Sequence, residues 1–364
     1  MKNPPVRPLA PSLDLIHQHF AEEIRLIDSS LVAYLDGFDR PSSHYGMLHY
    51  HFGYADGDLR MLPTEAYLPR GKRMRPLICM LFCRMFGLAS GVACTVMMAT
   101  EVMHAASLVH DDIEDRDAVR WNRPTLQAAF GIEQAINAGD ALIGMVYQLL
   151  LGLRSEGVAP EVLLDILGIF NQAHIRMCEG QHLDLRHRSA CGLSVEEYFD
   201  MAERKTGAAC ICIADGIGVL ALVSESTRGA LRTFGRSLGI LYQICDDVRG
   251  IWGLPEKLGR EVGHDVSSQR PSLPLLYGCR HGSPELRKLL LSGLEQSTAP
   301  TASELAFIRR ELVACGASQF CHAEASRHHA DAVAALAALG RPGAEARVLQ
   351  GLLAACFASV EFLV

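Results

Sequence analysis

The sequence predicts an all-α fold, a bundle of long helices. Three observations carry that prediction. Apolar residues recur three and four positions apart through most long segments, and few stretches alternate as strands do. Apolar residues make up 49% of the 364 positions and aromatics only 7%, with abundant Ala and Leu, a balance that suits helices. Two apolar helical runs, far apart in the chain, each end in paired aspartates, Asp111-Asp112 and Asp246-Asp247. No 20–50-residue repeat and no Gly/Ser-rich linker divides the chain, so residues 1–364 are expected to form one domain with a sizeable core.

Residues 1–13 are Pro-rich and expected to be loose. Helical spacing from Leu15 to Leu35 predicts a first helix. From Asp36 to Arg70, Gly, Pro, His and Tyr mix, which predicts short helices and turns, with His49 and His51 at the surface or in turns. GKRMRP, residues 71–76, is a basic knot before the apolar run Leu77–Phe86; Lys72 and Arg75, at a helix start, can hold one anion jointly. Gly91 to Val109 predicts the helix that leads into the first acidic cluster, followed by a loop from Arg116 to Pro124. Ala135–Leu151 and Leu163–Cys178 predict two more helices, the first carrying Asp140, which calls for a hydrogen bond or a place beside a cavity. Val195 to Leu222 predicts a helical stretch carrying Lys205 and Thr206, and Leu231 to Cys245 the helix of the second Asp pair. Gly253–Pro274 is a polar loop, and Ala/Leu-rich scaffold helices follow from Leu286.

Asp111 and Asp115 are four apart, so on a helix they share a face. Two carboxylates that close repel unless a cation or a proton stands between them. Oxygen-only ligands select a hard divalent ion, and Mg²⁺ keeps waters and shares itself with phosphates. Arg116, Arg120 and Arg123 follow, and the guanidinium fork suits phosphate oxygens. For a lone acidic cluster a solvated helix end explains as much. A second Asp pair on another apolar helix turns the pattern into a clamp that faces a metal-diphosphate across a cavity.

The net charge of −7 gives no reason to expect nucleic acid. The twelve cysteines lack framework spacing and are expected to be buried thiols of a cytoplasmic protein. No apolar signal core opens the chain, and the most apolar run, Ala208–Val223, is too short and too interrupted for a membrane span, so a core helix is expected.

Read in order, GKRMRP, the DDIED stretch, RPT, GDAL, GQHLD, KTG, YQICDD and SLP resemble the trans-isoprenyl diphosphate synthases, or polyprenyl synthetases, over about residues 48–277. The second motif resembles a bacterial branch reading DDxxG. The resemblance implies a single helical bundle of the isoprenoid-synthase type around a deep apolar cavity, a homodimer, and Mg²⁺. It implies condensation of an allylic prenyl diphosphate with isopentenyl diphosphate to a longer all-trans product. Matched residue by residue, it makes Asp111, Asp115 and Asp246 the metal ligands, with Asp112, Asp247 and Lys205 beside them in catalysis. Arg120, Lys205, Thr206, Gln243, Arg260 and Arg270 match positions near the allylic diphosphate, and Lys72, Arg75 and His104 those at isopentenyl diphosphate. Ala106 and Ser107, about one turn below Asp111, are small, and Met103 lies about two turns below; this size pattern points to a C20 or somewhat longer product.

Four departures from the family pattern stand out. Trp121 occupies the position of a second arginine, Gly250 that of a last Asp (with Arg249 before it), and Arg260 and Arg270 those of two lysines. Trp121 and the altered second motif suit a terpene synthase of the same fold, in which an indole face steadies a cation; Lys72, Arg75 and His104 suit the condensing enzyme. Glu101-x-x-His104 and Glu179-x-x-His182 have the spacing of di-iron carboxylate bundles, which would need further glutamates such as Glu133 or Glu197. A non-catalytic partner subunit would lack the Asp pairs, which this chain keeps.

Overall fold

The computed structural model describes residues 18, 20–38, 42–68, 70–71, 73–186, 192–253, 266, 271–296, 300–358 and 360. Lys72, Arg260, Arg270 and the expected loose segment 1–13 lie outside the described residues. The chain is helical nearly throughout, as the periodicity predicts. Helices α1 (Ala21–Asp36), α2 (Ser42–Phe52), α3 (Met74–Phe86) and α4 (Ser90–Asp115) come first. A two-stranded ribbon follows, β1 (Val119–Arg120) and β2 (Arg123–Pro124). Next are α5 (Leu126–Phe130), α6 (Ile132–Gly152), α7 (Pro160–Arg186), α8 (Val195–Ala202), a π-helical turn Glu203–Gly207, α9 (Ala208–Leu220) and α10 (Glu225–Trp252). Helices α11 (Leu273–His281), α12 (Pro284–Gln296), α13 (Ala302–Ala314), α14 (Ala317–Ala338) and α15 (Ala344–Phe357) complete it.

The helices form for reasons visible in the chain. In α1, Ile24, Ile27, Leu31 and Leu35 recur at three and four and are all buried. Ser194 and Glu197 close a capping box at the start of α8, and Thr301 and Glu304 another at α13. Glu197 is thereby a cap. The expected loop 116–124 contains a tight hairpin, because Trp121 and Asn122 both adopt positive φ (51° and 60°), the geometry a two-residue turn requires. Helix α9 is buried almost all round; its Asp215 accepts from Arg228 Nε (2.8 Å) and Nη2 (3.0 Å) and from Arg232 Nη1 (3.1 Å) on α10.

Helix α4 packs along α6, α9 along α10, and α10 against α14, which makes the main core. A smaller cluster of Ile251, Leu275, Leu286, Ile308, Leu312 and Ala317 joins the end of α10 to the later helices. Helices α4 and α6 are long and apolar enough to cross a membrane by length and composition. Of their most apolar windows, 61% and 44% are buried inside the protein. Among the described residues ten cysteines are free thiols, but Cys279 is disulfide-bonded, against the expectation of thiols alone. His49 and His51 are not at the surface: both are buried in α2. Burial, helped by Arg123, Arg120 and Arg73, pushes the His51 imidazole down to about 3.

Candidate active site

The two acidic motifs are built alike. On α4, Asp111 and Asp115 lie on one half-exposed face, and Asp111 has no hydrogen bond or ion pair among the described residues. Asp112, one residue on, turns into the protein and is 3% exposed. Arg120, reaching back from the hairpin, grips it through Nε (2.7 Å) and Nη2 (2.6 Å). Burial raises the Asp112 carboxyl to about 6, the Arg120 charge opposing that rise. On α10, the Asp246 side chain is 40% exposed and lies 3.6 Å from Arg249. Asp247 is buried and accepts from Tyr198 Oη (2.6 Å), Gln243 Nε2 (2.9 Å) and the backbone N–H of Leu273 (2.8 Å). In each pair one carboxylate anchors the fold and its neighbour faces out.

The π-helical turn brings Lys205 and Thr206 to this region. A Cβ on Gly180 of α7 would lie 2.2 Å from the Lys205 nitrogen, and one on Gly239 of α10 would lie 2.4 Å from Gly207 Cα. Only glycine allows both helices to close on the widened turn. Lys205 Nζ then pairs with Asp184 of α7, and Thr206 Oγ1 donates to Gln243 Oε1 (2.6 Å). Gln181, one turn before Asp184, donates to Glu114 at 2.7 Å and so ties α7 to the first motif. Sequence reading missed Asp184 and Gln181 as site residues, although both stand in the quoted GQHLD stretch. It also missed Tyr198, whose role shows only once α8 lies against α10.

Arg75 and His104 meet, Nη1 to Nε2 at 3.0 Å. Burial, with Arg75 beside it, holds the His104 imidazole well below its ordinary range. A neutral ring facing a guanidinium accepts rather than donates. Trp121 stands at the hairpin tip with its Cζ2 3.2 Å from where a Gly71 Cβ would be, and its ring lies near His51 and Arg123. Arg123 donates from Nη1 to the Tyr50 carbonyl and from Nη2 to that of His51 (2.7 Å), capping the end of α2. Met103 and Ala106 are buried, and Ser107 is half-buried with its hydroxyl on the His104 carbonyl (2.8 Å).

The di-iron pattern does not assemble. Glu101 is buried against Arg73, and Glu179 pairs with Arg204. Among the described residues no three His, Cys, Asp or Glu side chains cluster around one point. The outward-facing donors are carboxylate oxygens on separate helices, and oxygen ligands of this kind fit a hard ion that completes its shell with water and phosphate. A groove of about 580 Å³ lined by Met47, Leu59 and Phe130 shares no residue with this acidic site.

Similarity to known proteins runs along most of the chain. The family described as Polyprenyl synthetase matches residues 60–309. A (2E,6E)-farnesyl diphosphate synthase of Mycobacterium bovis is 32% identical over 345 residues, 94% of this chain and 91% of that protein. A geranylgeranyl diphosphate synthase of Sulfolobus acidocaldarius is 33% identical over 251 residues, 68% of this chain and 75% of its own. The solved polyprenyl synthetase of Streptomyces coelicolor superposes with a TM-score of 0.80 at 28% identity, covering 94% of this chain and 98% of that one.

Proposed function

The chain belongs to the polyprenyl synthetase family, and from that premise we propose how this trans-prenyltransferase works and on what. Its substrates are an allylic prenyl diphosphate and isopentenyl diphosphate, its ion is Mg²⁺, and its product is an all-trans prenyl diphosphate of C20 or longer. The observation that carries this reading is the outward carboxylate at each helix end, Asp111 with Asp115 on α4 and Asp246 on α10. These three would hold the ion. When bound, it supplies charge neutralisation on the departing diphosphate, so that the allylic C–O bond ionises.

The chain's own residues do the rest. Lys205, oriented by Asp184, adds a positive charge beside the leaving group, and Thr206 and Gln243 are fixed next to it by their mutual bond. Arg75 and neutral His104 stand where the diphosphate of isopentenyl diphosphate is held. Its alkene carbon attacks the allylic cation, and the proton then lost goes to the released diphosphate. Apolar α4, α9 and α10 keep water from the cation. Ser107 and Ala106 set the bore beneath Asp111, with Met103 as floor. We further read the chain as one domain acting in the cytoplasm as a homodimer.

The test is a paired incubation with Mg²⁺ and farnesyl or geranyl diphosphate, with and without isopentenyl diphosphate. Diphosphate release that requires isopentenyl diphosphate, with products longer by five-carbon units, is the expected outcome, and the product mass gives chain length. Release without it, yielding a hydrocarbon or alcohol, would overturn the condensing reading.

A further inference from the structure

The site for the second substrate lacks the cation that Trp121 displaces, and its neighbours do not restore it. The Trp121 ring is packed on Gly71, and Arg123 is engaged by the Tyr50 and His51 carbonyls at the end of α2. A different arginine stands in a better place. Positions 242, 246 and 249 are spaced i, i+4, i+7 and form one stripe along α10. That helix is otherwise mostly buried here, with Leu241, Ile244, Cys245, Asp247, Val248 and Ile251 all inside. The stripe is its open side: Tyr242 is 39% exposed, and the side chains of Asp246 and Arg249 are 40% and 30% exposed.

Arg75 faces the same stripe from α3. Its Cζ lies 5.9 Å from the centre of the Tyr242 ring, and the Cζ of Arg249 lies 5.7 Å from that same centre. Two guanidinium groups therefore flank one tyrosine, one of them bonded to His104. The Arg75 Nε is buried without a hydrogen-bond partner, a donor still to be satisfied. Arg249 donates Nε to the Cys245 carbonyl at 3.0 Å, which fixes the plane of its fork, and lies 3.6 Å from Asp246. Two like charges held about one ring together, one with an orphan donor, are relieved by an anion with several acceptor oxygens.

We propose that Arg249 binds the diphosphate of isopentenyl diphosphate together with Arg75, replacing the arginine that Trp121 displaces. This rests on the condensing reading above. The second motif then has a double use: Asp246 turns to the ion, and Arg249, one turn on, to the second substrate.

Steady-state kinetics of the full chain with each substrate varied in turn test it. Arg249→Gln should raise the KM for isopentenyl diphosphate about tenfold or more, the scale of a lost charge-assisted hydrogen bond. The KM for the allylic substrate should stay within about twofold, as expected where no contact is lost. Arg249→Lys should recover part of the loss as a point charge, and Trp121→Arg in the Arg249→Gln background should lower the raised KM again. Thermal melting of each variant separates misfolding from lost binding. An unchanged KM for isopentenyl diphosphate in a folded Arg249→Gln protein would overturn the proposal. So would a loss confined to the allylic substrate or the metal requirement, which would make Arg249 a partner of Asp246 only. If the unmodified protein releases diphosphate without isopentenyl diphosphate, the condensing reading fails first, and the two failures are told apart.

Discussion

The two aspartate pairs solve one problem by different means. At Asp112 the buried carboxylate is met by a cation, Arg120, delivered from a hairpin eight residues downstream. At Asp247 it is met by a phenol, an amide and a backbone N–H, drawn from α8, α10 and α11. The first lock is local in sequence and charge-balanced. The second gathers three helices around one carboxylate, at the start of α11, where the helix dipole also favours a negative charge. Adjacent aspartates in a motif thus carry unlike duties, and the inward one holds more of the fold in the second motif than in the first.

Substitutions at both motifs, and a change of pH, would break or sharpen that contrast. The largest effect is expected at the outward carboxylates: Asp111→Asn or Asp246→Asn should lower kcat about 10³-fold, the several kcal/mol a positioned ion contributes. Denaturant midpoints should show stability within about 0.5 kcal/mol of the parent. Asp247→Ala should instead destabilise by about 3 kcal/mol, because it strands the Tyr198 hydroxyl, the Gln243 amide and the Leu273 N–H in the interior. Equal stability losses at Asp246 and Asp247 would erase the division of duties.

Acid should act on the first region through two groups of opposite sign. An unfolded histidine protonates near 6.5, whereas folded His51 stays neutral down to about 3. Between those values the unfolded chain takes the extra proton, so this group removes stability as pH falls below 6.5, by about 2 kcal/mol at pH 5. Asp112 does the reverse. Its folded value of about 6 lies above the ordinary 3.8 of an unfolded aspartate, so the folded chain takes the proton first and stability rises as pH drops through 6. That gain is about 1 kcal/mol at pH 5. Urea unfolding at pH 7 and pH 5 should find His51→Gln relatively firmer in acid than the parent and Asp112→Asn relatively weaker. The smallest effect is expected for Gln181→Ala, about 1 kcal/mol from the lost Glu114 bond, again read from denaturant midpoints.

Much of this was legible in the chain because helices advertise themselves by period. The spacing of Asp111 and Asp115 gives their common face, whereas the burial of Asp112, about a quarter-turn away, shows only in the fold. What stayed hidden depends on contacts between distant segments. His49 and His51 look like loop residues among Tyr and Gly; the docking of Arg123 and the hairpin on α2 encloses His51, while Asp36 of α1 and the Tyr54 ring meet His49. The π turn at Lys205 leaves no mark in its own residues; what admits it is Gly180, 25 positions earlier, and Gly239, 34 later. The partner of Asp247 in α11 lies beyond a polar loop that carries no pairing signal.

Those two glycines set a boundary for anyone wishing to alter product range by mutagenesis. A methyl at either would meet backbone, which cannot rotate aside as a side chain can. Randomised libraries that include position 180 or 239 will therefore be dominated by clones that have lost the Lys205 turn altogether. Their inactivity would say nothing about substrate choice. Holding both positions fixed while varying 103, 106 and 107 keeps the screen a test of the proposed bore and depth.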